Sequence, residues 1–382
     1  MEDLPVPVMF DILSRLPVKT IIHCKCVCKK WLDLVSDSYF ADLHLSRSPA
    51  GFMIHHNSEK ETNGNYHKPG ILKWVEIKDK LDRQHLQQDP VMRLDLNLSP
   101  FFQNSRVHPV GSVNGLICLW QYGLKTDNYF ICNPITREYM ILPNQQYYKQ
   151  GYVVINHGFG VGSLTHEYKV IRIYQRDIPF NPTSTSGIRE AEVYTLGMGK
   201  WRSLGHVPYT IGGFFGLFFN GHVHWSVFGK DSPEKLFAFD LDNETFKLFP
   251  SPPVETIQGS HHFLSLAVLK GCLCQSDTFE SQFTLWVMRE YGIKESWHRE
   301  VMIKEGVSPA LDWLMWEPVC LIERLNDGTI LMVYYEDKLL ACSFEKGTIA
   351  NSDFFDPCFT GIAYRPSFLK LRNFKSERVH VF

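Results

Sequence analysis

The stretch YFICNPITREYMILP, residues 129–143, places a polar turn between two short β-prone runs. Aromatic and branched residues fill the runs, and Asn, Pro and Thr occupy the segment between them, which is the pattern of a β-hairpin. The second run closes on a Leu-Pro pair. We therefore expect this stretch to be one hairpin of an antiparallel sheet.

The same pattern recurs along the chain after residue 50. Two clear copies are AEVYTLGMGKWRSLGHVP (191–208) and KLFAFDLDNETFKLFPSPP (235–253), and looser copies cover 283–303 and 338–354. Each copy follows another hairpin-like stretch, so each pair supplies about four strands, at the spacing of about 40–50 residues that propeller blades show.

These repeats predict a mainly β body that folds as a β-propeller. Five blades are countable between residues 107 and 355. We expect the flanks, 50–98 and 357–372, to share a sixth blade by pairing the first and last strands, which closes the ring. Six blades are the prediction and seven the alternative. Two polar segments, 57–70 and 175–190, are predicted to be long loops, where recognition sites commonly lie.

Residues 4–40 predict helices instead. Val8, Ile12, Leu13 and Leu16 recur at helical spacing on one side. Pro17 is expected to end this first helix. A short second helix is predicted at 19–24, and a third at about 27–35.

The composition excludes several classes of protein. Of 382 residues, 44% are hydrophobic and 14% aromatic, which is enough for a packed core, so disorder is not expected. The net charge of −2 provides no positive field to attract nucleic acid or an anionic membrane. The N-terminus has no basic signal region, and no apolar run approaches the about 20 residues of a membrane span. We expect a soluble protein of the cytoplasm, the nucleus or both, with its ten cysteines mostly buried as thiols.

Three patterns invite a chemical interpretation, and each has a simpler one. In HCKCVCKKW (23–31), a continuous helix would place Cys24 and Cys28 on one face and Cys26 on another, so three ligands would not converge and no metal is expected. GFGVGS (158–163) lacks the third glycine of a dinucleotide fingerprint and precedes a strand, so a turn is predicted. In GHVHW (221–225), His222 and His224 share a strand face but have no identifiable further ligands.

The helical segment 4–48 resembles a plant-type F-box over about 45 residues. The positions that carry the resemblance are Leu4-Pro5, Ile12-Leu13, Leu16-Pro17-Val18, Ile21, Cys24, Cys26-Val27, Lys29 and Trp31. The remainder resembles the kelch-like F-box-associated domain. The stretches that carry this second resemblance are GSVNGLICL, CNPITREYMILP, HGFGVGSLTHEYKVIRI, AEVYTLGMGKWRSL, FFNGHVHW and LWVMREYGIKESW, in the family's order.

The resemblance implies an F-box domain at 1–46 and an F-box-associated β-propeller domain at 47–382. Two positions depart from the family's pattern. Val113 stands where the family often has Cys, and Gly162 stands where an Asp usually follows the GFG. Neither departure is expected to change the fold, although the second is expected to alter a turn.

The resemblance also implies a function. The protein is expected to be a non-catalytic, substrate-recognition subunit of an SCF-type E3 ubiquitin ligase, with no cofactor. Its F-box would bind a Skp-type adaptor and, through it, cullin and RING subunits, while the propeller would recruit an unidentified target protein. The expected adaptor-binding residues, some of which are expected to serve internal packing, are Leu4, Pro5, Ile12, Leu13, Leu16, Pro17, Cys26, Val27 and Trp31.

Two rival functions stay open at this point. Kelch-like propellers can host copper-dependent oxidation, and His222, His224 and nearby tyrosines would have to supply the ligands. An oxidase, however, has no use for an F-box. The other rival is an F-box scaffold that acts outside a ligase.

Overall fold

The structure is a computed structural model, and it is mainly β with helices at the N-terminal side. It describes residues 4–49, 51–56, 70–77, 92–96, 101–102, 106–122, 128–143, 152–176, 189–228, 236–253, 263–279, 281–306, 309–315, 319–334, 338–352, 359–374 and 377–382. Most of the two predicted recognition loops, 57–69 and 177–188, lies outside the described residues.

The helical head contains four helices where three were predicted. They are α1 (Val6–Ser14), α2 (Val18–Cys24), α3 (Lys29–Val35) and α4 (Ser38–Arg47). Prolines explain the first boundaries: Pro5 precedes α1, and Pro17, which cannot continue α1, precedes α2. The unpredicted α4 is capped by the preceding residue, Asp37, whose side chain accepts a hydrogen bond from the Tyr39 N–H at 2.8 Å.

The chain divides into two compact units. Unit 1 comprises residues 1–77, 89–144 and 362–382, and unit 2 comprises 78–88 and 145–361. Unit 1 holds the helical head together with two sheets. The first sheet has the order β24 (Phe359–Tyr364), β1 (Gly51–His56), β2 (Ile71–Glu76), β3 (Met92–Asp95), so the predicted sharing of one sheet by the two flanks is confirmed. The second has the order β25 (Val379–Val381), β7 (Glu138–Ile141), β6 (Asn128–Asn133), β5 (Leu116–Tyr122), β4 (Arg106–Val113).

The described residues of unit 2 form three further sheets. An eight-stranded sheet has the order β11 (Trp201–His206), β10 (Arg189–Thr195), β9 (Tyr168–Arg176), β8 (Tyr152–Val161), β12 (Thr210–Phe219), β13 (His222–Phe228), β14 (Leu236–Asp240), β15 (Thr245–Phe249). A four-stranded sheet contains β16 (Phe263–Leu269), β17 (Cys272–Phe279), β18 (Gln282–Met288) and β19 (Trp297–Lys304). Another contains β20 (Val319–Arg324), β21 (Ile330–Tyr334), β22 (Lys338–Ser343) and β23 (Thr348–Ser352).

Two-residue turns explain why the first hairpin of several sheets forms where it does. Asn114-Gly115 joins β4 to β5, Asn220-Gly221 joins β12 to β13, and Lys270-Gly271 joins β16 to β17. Both residues of each pair have positive φ, between 48° and 80°. This backbone twist matches that of the flanking strands, which is why Asn-Gly is a strong hairpin signal. The hairpin predicted at 129–143 is confirmed as β6 and β7.

The helical head shares one hydrophobic core with both sheets of unit 1. Met9, Leu13 and Phe40 of the helices belong to the same buried cluster as Trp74 of β2 and Phe130 of β6. A separate F-box domain that ends at residue 46 therefore stays a prediction. No helix in the described part of the chain is long and apolar enough to cross a membrane.

Candidate functional site

The candidate site is the exposed surface of the helical head. Of the nine residues expected to bind an adaptor, five are exposed: Pro5, Ile12, Pro17, Cys26 and Val27. Three are half-buried and pack against the core cluster of unit 1: Leu4, Leu16 and Trp31. Leu13 is only 2% exposed and belongs to that core. Some of the nine residues were expected to serve internal packing in this way.

Helix α1 has apolar residues on more than one face. Met9 and Leu13, four residues apart, point into the core, whereas Val8 and Ile12, also four apart, are exposed. Ile12 is 41% exposed. The sequence pattern had grouped Ile12 with Leu13 on a single side, and the structure separates them. An exposed apolar pair beside a fully buried pair is typical of a helix with a second partner.

The turn between α2 and α3 exposes further apolar side chains. Val27 is 64% exposed, and Cys26 and Cys28 on either side of it are exposed as well. Cysteine and valine are among the side chains most often buried in folded proteins, so a run of three in water is unusual. Four more exposed apolar residues of the head were not among the nine expected adaptor contacts: Val6, Val8, Leu32 and Tyr39.

The cysteines lie where the predicted second helix (19–24) ends and just before the third helix, which begins at Lys29 and not at about residue 27. Cys24 ends α2, Cys26 lies in the turn, and Cys28 precedes the first residue of α3, so the three do not share a helix. The reason is local: the chain makes two short helices and changes direction between them. Cys24 is buried, and burial raises the pKa of its thiol. Among the described residues, no three His, Cys, Asp or Glu side chains come together in a way that could hold a metal ion.

The surface of the head is basic as well as apolar. Residues 12–32 contain no Asp or Glu, and their Lys and Arg residues are Arg15, Lys19, Lys25, Lys29 and Lys30. The acidic side chain just before this stretch, Asp11, is held by two arginines. Its carboxylate accepts hydrogen bonds from Arg15 at 3.1 Å and lies 2.8 Å from a guanidinium nitrogen of Arg47, and these two contacts lower its pKa. The head therefore presents net positive charge around its exposed apolar residues.

Arg47 also fixes α4 against α1. It donates a hydrogen bond to Ser14 Oγ at 2.6 Å and another to the Asp11 carbonyl at 3.2 Å. Phe10 of α1 packs edge-on against Tyr39 and stacks on Phe40, both of α4. The face of α1 that carries Phe10 and Ser14 thus rests on α4, while Ile12 on another face stays exposed.

His224, one of the two histidines on β13, is already held by hydrogen bonds. His224 is fully buried, and burial lowers its pKa to about 3, so the ring is neutral. Its Nδ1 lies 3.2 Å from the Leu217 carbonyl, and its Nε2 lies 2.8 Å from the Tyr291 hydroxyl. The carbonyl can only accept, so Nδ1 donates and Nε2 accepts from Tyr291. Because both ring nitrogens are already in hydrogen bonds, His224 could bind copper only by breaking one of them.

The glycines of GFGVGS serve packing. Gly158 and Gly160 belong to β8, and only the residues after Val161 form the predicted turn. A Cβ at Gly158 would lie 2.9 Å from the ring of Trp225, and one at Gly160 would lie 2.5 Å from Phe218. These glycines let β8 pass directly over two aromatic side chains. The strand predicted after the turn is confirmed as β9.

Comparison with known proteins gives matches to both parts of the chain. A family model described as "F-box-like" matches residues 1–44, and one described as "F-box associated beta propeller domain" matches residues 79–333. The F-box protein At3g07870 of Arabidopsis thaliana is 28% identical over 377 residues, which cover 89% of this chain and 85% of that protein. The F-box protein CPR1 of the same species is 24% identical over 331 residues, which cover 81% of this chain and 75% of CPR1.

Similarity to solved structures is much weaker. An oligogalacturonate lyase from Vibrio parahaemolyticus is 10% identical, with a TM-score of 0.36 over 79% of this chain and 84% of the lyase. A similarity at this level supports no statement about activity.

Proposed function

Because the chain belongs to the family of F-box proteins that carry an F-box-associated β-propeller domain, we propose that it is a substrate-recognition subunit of an SCF-type ubiquitin ligase. In this role the helical head binds a Skp-type adaptor, which connects it to cullin and RING subunits. The β-body recruits a target protein. The chain itself performs no chemistry: tethering raises the local concentration of target lysines near the charged ubiquitin-conjugating enzyme. Location in the cytoplasm, the nucleus or both is part of the proposal.

The observation that carries this proposal is the exposed run Cys26-Val27-Cys28 together with Ile12. Covering one such apolar side chain with a partner is worth on the order of 1–2 kcal/mol. In this proposal the half-buried Leu4, Leu16 and Trp31 contribute at the edge of the same interface. Leu13 would act from beneath, by holding α1 in position.

A propeller with six blades is also part of the proposal. The eight-stranded sheet joins two sets of four strands, β8–β11 and β12–β15, through a parallel bridge between Phe215 and His157. If that sheet is divided at the bridge, the strand orders give six four-stranded units, one of which carries β25 as a fifth strand. A seventh unit would require four more strands than the described residues supply.

The proposal is tested by placing a charge in the exposed turn. Val27→Glu should weaken binding of the full-length chain to a purified Skp-type adaptor by at least about 30-fold, since a carboxylate would be buried at an apolar interface. Leu164→Glu is the matched control, because Leu164 is 81% exposed and lies in unit 2. If Val27→Glu and Leu164→Glu both bound the adaptor as tightly as the wild type does, the proposed interface would be contradicted. A wild-type chain that captures the adaptor from plant extract without cullin would favour the scaffold function.

A further inference from the structure

A segment from the far end of the sequence lies between the helical head and the sheet β4–β7. We call residues 364–374 the strap. Asn133 of β6 donates from Nδ2 to the carbonyls of Ser367 at 3.0 Å and Leu369 at 2.7 Å. The Leu371 N–H donates to Glu138 of β7 at 2.8 Å. These side chains fix the backbone of the strap on the sheet, because Asn133 and Glu138 are themselves buried.

The turn between β4 and β5 is shaped to receive the strap. A Cβ at Gly115 would lie 2.3 Å from the Cβ of Ser367, so only glycine leaves room for the strap. Gly115 also has a φ of +80°, which favours glycine for a second reason. The Tyr364 hydroxyl donates to the Gly115 carbonyl at 3.3 Å. The fit is therefore specific on the sheet side.

On its other side the strap completes the core of the head. Phe368 is 3% exposed, and its ring centroid lies 5.7 Å from that of Phe40 and 5.0 Å from that of His44, both on α4. The ammonium group of Lys25, at the end of α2, lies 4.9 Å from the centre of the same ring. One aromatic side chain of the strap thus touches two helices of the head.

A hydrogen-bond chain adds to this contact. His44 Nδ1 lies 3.1 Å from Ser48 Oγ, and Ser48 Oγ lies 2.9 Å from the Pro366 carbonyl. Since that carbonyl can only accept, the Ser48 hydroxyl donates to it and accepts from His44 Nδ1. Burial lowers the pKa of His44 to about 4, so the ring is neutral near pH 7 and can hold this arrangement. Removing the strap would leave both the ring of Phe40 and this polar pair without their cover.

We propose that the strap completes the adaptor-binding head, so that the head becomes competent for its adaptor only when residues 364–374 are seated on β6 and β7. This inference rests on the proposed function. The coupling runs through α4, which packs against Phe368 on one side and supports the Ile12-bearing helix α1 on the other. If the head alternates between a seated and an unseated form, the apparent dissociation constant for the adaptor rises as the seated fraction falls.

Because the strap lies near the end of the sequence, the coupling has a consequence for the folding of the chain. The strap follows the strands β1–β24, so it can seat only after those strands have been made. A chain whose sheet β4–β7 is incomplete or misfolded would offer an unfinished head. Adaptor binding would then select chains in which this sheet has folded and received the strap.

The test compares two aromatic residues near the same end of the full-length chain. Phe368→Ala should weaken adaptor binding at least about tenfold, as measured by calorimetry with purified adaptor, and Phe368→Leu should restore most of the affinity. The control is Phe382→Ala, because Phe382 packs on Phe102 and Tyr139 of the sheet side. The control should change the affinity by less than about twofold. Equal affinity of the wild type and Phe368→Ala, or equal losses in Phe368→Ala and Phe382→Ala, would overturn the inference.

A second measurement needs no variant and covers the case in which Phe368→Ala does not fold. By reciprocity, adaptor binding should slow hydrogen exchange of the Leu369 and Leu371 amides of the strap in the wild-type chain, by about the same factor as the coupling. Unchanged exchange in the adaptor complex would contradict the coupling. A wild-type chain that bound no adaptor at all would contradict the proposed function itself. Adaptor binding with unchanged exchange would overturn only the coupling, so the two failures are distinguishable.

Discussion

The carboxylate of Asp242 occupies the space that a side chain at position 162 would need. A Cβ at Gly162 would lie 2.3 Å from Asp242 Oδ1. From the β14–β15 turn, this carboxylate accepts hydrogen bonds from the backbone N–H groups of Ser163, Leu164 and Thr165 at 2.9–3.2 Å. The resemblance described in the sequence analysis leads one to expect an Asp at position 162 itself. Here the side chain of Asp242, 77 residues after Thr165, caps the same turn.

The first prediction follows from this exchange. Asp242→Ala should lower the free energy of unfolding by about 1–2 kcal/mol, since three N–H groups lose their acceptor. Gly162→Asp alone should also destabilise, because its side chain would collide with Asp242. In the double variant Gly162→Asp/Asp242→Ala, we expect most of the stability to return. Urea unfolding of the four proteins measures this, and additive losses in the double variant would contradict the account.

The second prediction concerns acid stability. Burial opposes ionisation of Asp242, but the hydrogen bonds from Thr165, Leu164 and Ser163 outweigh it and lower its pKa below 3.8. A carboxyl whose pKa is lower in the folded state stabilises the fold fully above the ordinary value, and that contribution is lost as the pH falls through the lowered pKa. The stability difference between wild type and Asp242→Asn should therefore be constant at neutral pH and shrink below pH 3.8. A difference that is flat down to pH 2 would refute this role of the charge.

The third prediction separates two neighbours on α1. Leu13→Ala should cost about 2–5 kcal/mol of stability, because it empties a buried site. Ile12→Ala should cost less than about 1 kcal/mol, because Ile12 is exposed, and should weaken adaptor binding. Thermal unfolding and adaptor titration on the same samples check both effects. The assignment would be wrong if Ile12→Ala proved the more destabilising change.

The fourth prediction concerns the cysteines of the head. Cys28 immediately precedes α3 and makes no side-chain hydrogen bond to the helix. Serine is a much better residue at this position, so Cys28→Ser should leave stability unchanged or raise it by up to about 1 kcal/mol. The matched variant Cys24→Ser should lose about 1–3 kcal/mol, because it buries a hydroxyl group. We also expect no zinc by elemental analysis, and a stoichiometric zinc signal that Cys24→Ser abolishes would argue for a metal site.

The fifth prediction tests the copper alternative at His224. Tyr291→Phe removes the donor to His224 Nε2 and should lower stability by about 1–2 kcal/mol. If the cluster is structural, purified wild-type protein should contain no stoichiometric copper, and added copper should not raise its melting temperature. Copper-dependent stabilisation that is lost in His224→Ala would favour an oxidase.

The sequence predicted those features that depend on local pattern. The polar turn within 129–143 marked a hairpin, and Pro17 marked the end of the first helix, because both signals act through backbone geometry within a few residues. Hydrophobic spacing on α1 indicated the helix but did not separate Ile12 from Leu13. Two adjacent apolar residues give the same sequence pattern whether both pack into the core of the chain or one of them stays exposed on its surface.

Long-range contacts account for what was missed. Phe368 and Asp242 look unremarkable in their own segments, and their partners lie far away in the sequence. The hydrophobic periodicity of α4 does not reveal that Phe40 packs against a side chain of the strap. The third helix was placed too early because a run of residues with adequate helical propensity cannot show where the chain changes direction.

The short strand β25 has a consequence for how the protein behaves when it is concentrated. Val379, His380 and Val381 pair with Met140, Tyr139 and Glu138, and the Phe382 N–H donates to the Arg137 carbonyl. Without this strand, β7 would be an open sheet edge, which is a template for pairing with another molecule. Four residues thus serve as protection against aggregation. A chain that loses them should still fold its sheets but should self-associate at protein concentrations that the full-length chain tolerates.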